Sequence, residues 1–511
     1  MIISLSVLVI TIIVSGTYAL YKAQLSKNIG VNTTTHGLAY YINYVKGTDI
    51  TAATLNPSTS YEGGASSDIE FWKKDDSYDI YGKIELTVNT IGTNLSNSPA
   101  LKYAVVNNGN VLKEGSLKGT TSGSKVTILK NLYLEQTKQI YTVYVWLDNS
   151  EELGNISNES LSISVDCTAS LQKEPTAADT IISLYTSAAK VTATNNSITY
   201  NTAPSVSLMN DRLGGTTTSL DGGNIRYYGA SPNNYIYFNC SDYSNQTSST
   251  CETWRIIGVF DGKLKLIKSE SIGAYSWDNK DTSTGAENDT GKNDWTTARL
   301  MKLLNPSNYY KVDSNDNNLG QSLYYNSASG KCYSGQNNAT VDCDFTSTGI
   351  KNAETRNMIA ETTYNLGGWN SNSVYSNQIY EYERGTTVYS GRPTTWKGKI
   401  ALAYPSDYGY AADLNQCKDK TLYDYDNRTC TSNNWMKAII TNNGSNTGWL
   451  LTPRSGSSSN AWYVNSGGFV SRDSIAYVAY GAVPVLYLSS ELGIESGAGD
   501  GSSSNPYKLS A

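Results

Sequence analysis

The chain contains 511 residues, enough for roughly two to four domains, and 16% of them are charged. Its net charge of −6 and its sequence pI of about 5.1 exclude the strongly basic surface that attracts nucleic-acid phosphates, so no nucleic-acid partner is expected. The single histidine, His36, excludes Ser-His-Asp triads, HExxH proteases and zinc sites built from several histidines. The sequence also lacks a GxxxxGK[ST] phosphate loop. We therefore expect no cofactor and no bound metal.

The chain opens with an apolar stretch. Met1–Leu20 contains no charge, and the small residues Ser15, Gly16 and Ala19 follow the apolar run. This arrangement is typical of a signal peptide that is cleaved after Ala19. About 20 apolar residues also suffice to span a bilayer as a helix. We predict that residues 1–19 are a signal peptide or a membrane anchor, with the membrane as a partner if the helix stays uncleaved.

The cysteines agree with export. Six of the seven cysteines lie in three local pairs, Cys240 with Cys251, Cys332 with Cys343, and Cys417 with Cys430. A disulfide that closes a loop of this length stabilises a protein by about 2.5–3 kcal/mol. Proximity favours these pairings over other connectivities, and free thiols are the alternative. Cys167 is expected to be a buried thiol in a strand. Because disulfides persist in oxidising compartments, we predict a cell-surface or secreted protein.

Residues 35–170 are predicted to form an all-β sandwich that acts as a spacer or assembly domain. Their short runs rich in β-branched and aromatic residues are separated by turns such as Asn107–Asn110. The predicted strands are Tyr78–Asn89, Leu101–Val106, Val111–Leu117, Lys125–Leu129, Gln139–Leu147 and Ser160–Ala169.

The rest of the chain changes in character. Residues 171–219 are predicted to be a linker with a short helix at Ala178–Ala188, or else a segment that threads into the next domain, and residues 491–511 a Gly/Ser-rich tail. Residues 220–490 are rich in aromatic residues and mix both element types. Their predicted helices are Asp294–Leu304, Asn352–Leu366 and Asn434–Ile440.

Several strings in residues 220–490 carry a resemblance. Asn224–Tyr235 and Trp254–Phe260 resemble segments of exported surface proteins of gut Firmicutes and their wall-less relatives. Trp449–Arg454 and Gly481–Leu486 are similar to the ending of C-type-lectin-like modules, including the variable ligand-binding proteins diversified by retroelements. The leader and β-domain are more faintly similar to biofilm-fibre proteins of the TasA and camelysin kind. The resemblance implies a C-type-lectin-like binding domain over residues 220–490.

In such modules the strands before the final one display ligand-contacting side chains. Here a mixture of aromatic and polar residues lies around Gly467 and Gly468, between the apolar runs at Trp449 and Val483–Leu488. Aromatic side chains offer large contact areas at low cost in conformational entropy. The candidate ligand-binding residues are Tyr463, Asn465, Phe469, Ser471, Asp473, Ile475, Tyr477 and Tyr480. We expect Trp449 and Val483–Leu488 to be their buried frame.

The candidate metal and catalytic motifs are incomplete. The Glu-Pro-Asn loop by which sugar-binding C-type lectins hold calcium is missing, and Asp313–Asn317 lacks the glycine and distal glutamate of a calcium loop. Acidic loops at Asp278–Asp294 and Asp424–Asp426 single out no pair of carboxylates for glycoside hydrolysis. We therefore expect a non-catalytic protein.

The expected fold is multidomain: an N-terminal hydrophobic helix, an all-β sandwich, then an α+β C-type-lectin-like module. The expected function is that of an adhesin-type surface protein whose ligand is a glycan or a protein. The alternative is a structural subunit of an extracellular fibre or biofilm matrix, with self-assembly through the β-domain.

Overall fold

The computed structural model describes residues 23–24 and 38–510, with gaps at 52–54, 150, 152, 154, 157, 196–197, 214–221, 280–289, 311–318, 336–338, 418, 427, 443–445 and 496. The chain divides into two compact units, with the boundary between Glu174 and Pro175. The predicted leader, 1–19, and His36 lie outside the described residues. Among the residues that are described, no helix is long and apolar enough to cross a membrane.

The described part of the first unit consists of strands, one short α-helix and short 3₁₀ turns. Its strands form two sheets, with strand orders β1-β11-β6-β9 and β2-β5-β10-β7-β8. In addition, β3 pairs with β11 and β4 with β10. The elements are β1 (Ala23–Gln24), β2 (Ile42–Val45), β3 (Ile50–Thr51), β4 (Pro57–Ser58), β5 (Ala65–Lys73), β6 (Tyr81–Ile91), α1 (Thr93–Asn97), β7 (Leu101–Asn107), β8 (Asn110–Ser116), β9 (Lys125–Tyr133), β10 (Ile140–Asp148) and β11 (Leu161–Ser170).

The core of the first unit follows from the alternation of its strands. Successive side chains of a strand point to opposite faces, and in β6 alternate residues from Gly82 to Val88 are buried. Buried side chains from both sheets form a single hydrophobic cluster, which gives a sandwich-like arrangement. The strands predicted for residues 35–170 are confirmed as β6–β11, with ends displaced by a few residues. Cys167 is a free, buried thiol opposite Ile84, and burial raises its pKa well above the ordinary value.

The second unit is also mainly β, with several short helices. Its largest sheet has the order β12-β13-β14-β15-β17-β18-β29-β24, with β16 also on β17, and a five-stranded sheet has the order β19-β28-β25-β26-β27. The pairs β20-β21, β22-β23 and β30-β31 stand apart.

The strands of the second unit are β12 (Val191–Asn195), β13 (Ile198–Ala203), β14 (Leu208–Asn210), β15 (Ile225–Tyr227), β16 (Tyr235–Phe238), β17 (Glu252–Phe260), β18 (Lys263–Lys268), β19 (Ala274–Ser276), β20 (Ser329–Cys332), β21 (Val341–Asp344), β22 (Thr362–Asn365), β23 (Thr395–Gly398), β24 (Ile400–Ala401), β25 (Gly448–Pro453), β26 (Asn460–Val464), β27 (Val470–Ile475), β28 (Ala479–Gly481), β29 (Val485–Tyr487), β30 (Gly493–Ile494) and β31 (Leu509–Ser510). Its helices are α2 (Ala177–Ser187), α3 (Arg299–Leu304), α4 (Ala353–Met358), α5 (Ser376–Glu383), α6 (Pro405–Tyr410), α7 (Arg428–Ser432) and α8 (Met436–Thr441).

The segment 171–219 differs from the expected linker. From Pro175 onward it belongs to the second unit, where α2 buries Ile181 and Tyr185 in the core. The helix begins with a capping box in which the Thr176 hydroxyl accepts from the Asp179 amide at 3.1 Å. Strands β12–β14 then extend the large sheet from the edge of β15. The sequence did not predict these strands because strands at a sheet edge can be polar and rich in threonine, a composition that also suits a linker.

The predicted Gly/Ser-rich tail, 491–511, also packs in the second unit over its described residues. Strands β30 and β31 pair with each other, and Leu509 is buried. The backbone amide of Tyr507 donates to the carbonyl of Tyr235 at 2.9 Å. These contacts join residues far apart in the chain, which local composition does not reveal.

Two predicted helices are longer than the observed ones. In the first, only α3 is helical, because Asp294 caps a turn by accepting from the Thr296 amide at 3.0 Å. In the second, Asn352 caps α4 as its side chain accepts from the Thr355 amide at 2.8 Å. The chain then becomes β22, since β23 supplies a pairing partner.

The three predicted disulfides are confirmed: Cys240–Cys251, Cys332–Cys343 and Cys417–Cys430. Each closes a loop with a sequence separation of 11 to 13 residues. They agree with an oxidising, extracellular environment.

Candidate functional site

The frame of the candidate site is the middle strand of the five-stranded sheet. All residues of β25 are buried, as are those of β29 in the large sheet. The Trp449 indole is 1% exposed, and its Nε1 donates to the carbonyl of Tyr275 at 2.9 Å. Trp449 and Val483–Leu488 are therefore buried, as the sequence predicted for the frame of the candidate site.

Four aromatic side chains lie on and beside this sheet, and we call them the aromatic surface: Tyr423, Tyr463, Phe469 and Tyr480. The Tyr463 ring lies 5.3 Å from that of Tyr480, and Tyr480 in turn lies 4.7 Å from the Trp449 ring. The rings of Tyr423 and Phe469 are 5.4 Å apart, and Tyr423 is 50% exposed. Partial burial, with the nearby Tyr480, Asp473 and Tyr423, raises the pKa of Tyr463.

A tight turn between β26 and β27 holds the Phe469 end of the aromatic surface. The Asn465 side chain accepts from the Gly467 amide at 2.8 Å, and the Asn465 amide donates to the Phe469 carbonyl at 2.9 Å. Gly468 has a φ of 98°, which a residue with a Cβ rarely adopts. The hydroxyl of Tyr408 donates to the Gly468 carbonyl at 2.7 Å. The turn is thus held in place by the buried Tyr408 side chain.

Two arginines, Arg454 and Arg472, share the carboxylate of Asp473, and we call them the arginine pair. Arg454 Nε donates to the Asn370 side-chain oxygen at 2.8 Å. Arg472 Nε donates to the Asn370 carbonyl at 2.6 Å, and its Nη1 to Asn372 Oδ1 at 2.7 Å. The loop at 370–372 therefore holds both guanidinium groups in place.

The other candidate residues divide by position. Ser471 is only 5% exposed and pairs with Tyr463 between β26 and β27, so it supports the ring more than it offers a surface. Ile475 is half-buried at the opposite end of β27 from Phe469. Tyr477 is half-buried in the turn that follows, and its carbonyl accepts from Ser276 Oγ at 2.6 Å. The structure thus brings the Tyr463 and Tyr480 rings together, places Phe469 at the turn between β26 and β27, and places Asp473 farther along β27, beside the arginine pair.

Sequence reasoning missed Tyr423 and the arginine pair. Tyr423 comes from a 3₁₀ turn at Leu422–Asp424, far from β27 in sequence. Arg454 stood at the end of the string that carried the lectin-like resemblance, and its charge next to an apolar strand was the available signal. Arg472 precedes Asp473, yet only the fold shows that Asn370 holds both arginines.

A second group of ionisable side chains, the buried charge cluster, lies elsewhere in the second unit: Asp211, Arg226, Lys265 and Asp407. Arg226 Nε donates to Asp211 at 2.6 Å and its Nη1 to Asp407 at 3.1 Å, while Lys265 pairs with the other Asp407 oxygen. All four side chains are at most 1% exposed. Burial lowers the pKa of Lys265 to about 8. Burial opposes the charged form of Asp407, but Lys265 and Arg226 outweigh it and lower its pKa.

Glu383 lies beside this cluster. It accepts from the Ser406 amide at 2.9 Å and pairs with Arg384 at 3.3 Å. Burial raises the pKa of Glu383 to about 7, although the Arg384 charge opposes the rise. Because these carboxylates are buried and hydrogen-bonded, they tie strands and helices of the second unit together.

Two small cavities lie in the described part of the chain. One of about 10 Å³ is lined by residues that include Tyr275, Arg299 and Tyr333, and one of about 30 Å³ in the first unit by residues that include Tyr81 and Lys83. Each has room for about one or two water molecules. Over the same described residues, no group of three or more His, Cys, Asp or Glu side chains is placed to hold a metal ion. The Asp313–Asn317 loop lies outside those residues.

No protein-family model and no curated protein matches the sequence. Among solved structures, the chain is similar to one titled "Crystal structure of HCR/D F1240A mutant", at 12% identity and a TM-score of 0.15, over 51% of this chain and 76% of that chain. A TM-score of 0.15 does not show that the two chains share a fold.

Proposed function

We propose that this protein is an exported, cell-surface ligand-binding protein of the adhesin type, without catalytic activity, whose second unit is a C-type-lectin-like head. The observation that carries the proposal is the aromatic surface, whose partly exposed rings lie beside β25, a strand whose residues are all buried. Rigid aromatic side chains lose little entropy when they contact a ligand. A buried frame allows the surface residues to change without loss of the fold.

Further features support export and binding. Three disulfides fit an oxidising compartment, and the apolar stretch at residues 1–19 has the composition of a leader or anchor. The enclosed state of the buried charge cluster favours a structural role over catalysis.

Binding is tested with the full chain, produced by secretion and applied to a glycan and protein array. Tyr463→Ala and Tyr423→Ala are compared with Tyr133→Ala, which removes a 41% exposed tyrosine from the first unit. If the aromatic surface binds the ligand, the first two substitutions weaken binding by about 2 kcal/mol, roughly 30-fold in Kd, and the control leaves it unchanged. Equal effects of all three substitutions would contradict the assignment.

Location is tested by fractionation of the source cells. We expect the protein at the cell surface or in the medium, with the three disulfides formed. Recovery from the cytosol alone, with every cysteine reduced, would refute export.

The second candidate function is that of a subunit of an extracellular fibre, with the first unit as the assembling part. The observation that favours it is β8, which pairs with β7 at the end of its sheet and carries Val111 and Leu112, 42% and 38% exposed. Exposed apolar edge strands invite pairing with another chain. Negative-stain microscopy of the secreted protein over a wide concentration range tests this function. Monodisperse particles at every concentration contradict it.

A further inference from the structure

We propose that the arginine pair binds an acidic group, a carboxylate or a sulfate, carried on a polysaccharide. This inference rests on the proposed function and names the ligand class for the five-stranded sheet that carries the aromatic surface. It follows from hydrogen-bond donors that the fold holds in place but leaves unused.

The two guanidinium groups are positioned without being saturated. Each uses Nε and Nη1 in hydrogen bonds to Asn370, Asn372 or Asp473. Their Nη2 groups make no hydrogen bond within the described residues, and the Arg454 and Arg472 side chains are 24% and 21% exposed. Because the groups are already ordered, a ligand pays little conformational entropy to engage them.

The neighbouring amides add further donors. The side-chain oxygens of Asn370 and Asn372 accept from the arginines, which turns each amide nitrogen away from that contact. Neither nitrogen has a hydrogen-bond partner among the residues described. Asn370 is exposed whereas Asn372 is only 6% exposed, so the site offers donors from two guanidinium groups and the Asn370 amide, and a matching ligand must supply acceptors, some of them charged.

Local charge points the same way. Two cations share one carboxylate, that of Asp473, which is itself 48% exposed. The site keeps an excess positive charge on a chain whose net charge is −6. General attraction of a polyanion to the protein is therefore unfavourable, and an acidic ligand has to be bound through a local site.

A sugar chain fits this place better than an acidic peptide. Asp473, whose carboxylate the arginine pair shares, lies two residues along β27 from Ser471, the residue that pairs with Tyr463 of β26, so the arginine pair lies near the Tyr463 part of the aromatic surface. Sugar hydroxyls can accept from the exposed Asn370 amide, and sugar rings can lie against tyrosines on an open face. A peptide requires pockets for its side chains, whereas the cavities described above are water-sized and neither is lined by the arginine pair.

The probes are surface-immobilised hyaluronan, with carboxylates only, dextran sulfate, with sulfates only, neutral dextran and polyglutamate. We expect the full chain to bind hyaluronan or dextran sulfate, and the stronger of the two identifies the acidic group. Binding falls with added salt, and dextran and polyglutamate bind at least tenfold more weakly. Equal binding of polyglutamate overturns the polysaccharide assignment.

Three substitutions separate a binding role from a structural one. Arg472→Gln is expected to weaken binding about tenfold or more, since it removes a charged donor. Asp473→Asn is expected to strengthen binding severalfold, because it removes the competing carboxylate while its amide oxygen still accepts from an arginine. Lys397→Gln is the matched control, an exposed cation that also pairs with a carboxylate, Glu361, and it leaves binding unchanged.

A thermal melt of each variant shows that the second unit is folded. If Asp473→Asn weakens binding, or Arg472→Gln acts no more strongly than Lys397→Gln, the acidic-ligand inference is wrong. Equal binding of dextran, unaffected by these substitutions, overturns the inference and leaves the proposed function standing. Absence of any ligand on the array contradicts the proposed function itself.

Discussion

Trp449→Ala is the substitution that best tests the division between frame and surface. The indole is 1% exposed, packs 4.7 Å from the Tyr480 ring and donates to the Tyr275 carbonyl at 2.9 Å. Truncating a buried tryptophan costs about 3–5 kcal/mol through lost burial and the cavity left behind. The unpaired Tyr275 carbonyl moves the expected loss toward the upper end of that range.

Two further variants calibrate the measurement. Trp449→Phe keeps much of the ring volume but loses the indole N–H, so we expect a loss of about 1–2 kcal/mol. Tyr423→Ala removes a side chain that is 50% exposed and should change stability by only about 0.5 kcal/mol. The assay is urea unfolding of the oxidised full chain, followed by tryptophan fluorescence and analysed for the transition of the second unit.

The result that refutes the reasoning is a loss for Tyr423→Ala as large as that for Trp449→Ala. The aromatic surface would then be part of the core, and its rings would be unavailable to a ligand. A loss below about 1 kcal/mol for Trp449→Ala would equally contradict the burial argument.

Three further predictions concern the interior of the second unit. Asp407→Asn leaves Lys265 and Arg226 without their shared carboxylate, so we expect the free energy of unfolding in urea to fall by about 3–5 kcal/mol. A fall of less than about 1 kcal/mol would show that the two cations are solvated. Burial raises the folded-state pKa of Glu383 from 4.5 to about 7, so its contribution to stability is complete below about pH 4.5 and is lost as the pH rises to 7. Glu383→Gln should remove that decline from a pH series of unfolding free energies, and an unchanged decline would assign it to other groups. Replacing both Cys417 and Cys430 by serine should lower stability by about 2.5–3 kcal/mol, measured against the oxidised protein; equal stability before and after the substitution would contradict a closed loop.

The buried charge cluster explains why the second unit tolerates so many polar residues inside. Each buried charge has an opposite charge within hydrogen-bonding distance, and Arg226 also lies 4.6 Å from the centre of the Phe260 ring and 4.7 Å from that of Tyr410. Such a network costs desolvation, so it adds little net stability compared with apolar packing. Its partners come from three separate stretches of the chain, and it therefore favours one arrangement of them.

Features with a local cause were predictable from the sequence. The strands β6–β11 follow from short runs rich in β-branched and aromatic residues between turns, and neighbouring residues alone produce that signal. The disulfides join cysteines 11 to 13 residues apart, where a short loop makes the local partner the nearest one. Continuous apolar runs at Trp449–Leu451 and Val483–Leu488 likewise indicated buried strands.

Features that depend on distant partners were not predictable. The polar strands β12–β14 exist because β15 offers them an edge, and the 491–511 segment packs because Tyr507 meets Tyr235. Hydrogen bonds between strands are satisfied by whichever segment the fold brings alongside, so composition alone does not identify an edge strand.

The candidate site shows the same division. Tyr463, Phe469, Asp473 and Tyr480 stood out in the sequence because aromatic and polar residues mix between two apolar runs. The arginine pair did not, because its function depends on Asn370, which lies 84 residues before Arg454 and 102 before Arg472. A charged side chain becomes a positioned donor only when the fold supplies acceptors that fix it and leave part of it exposed, and those acceptors come from a distant loop.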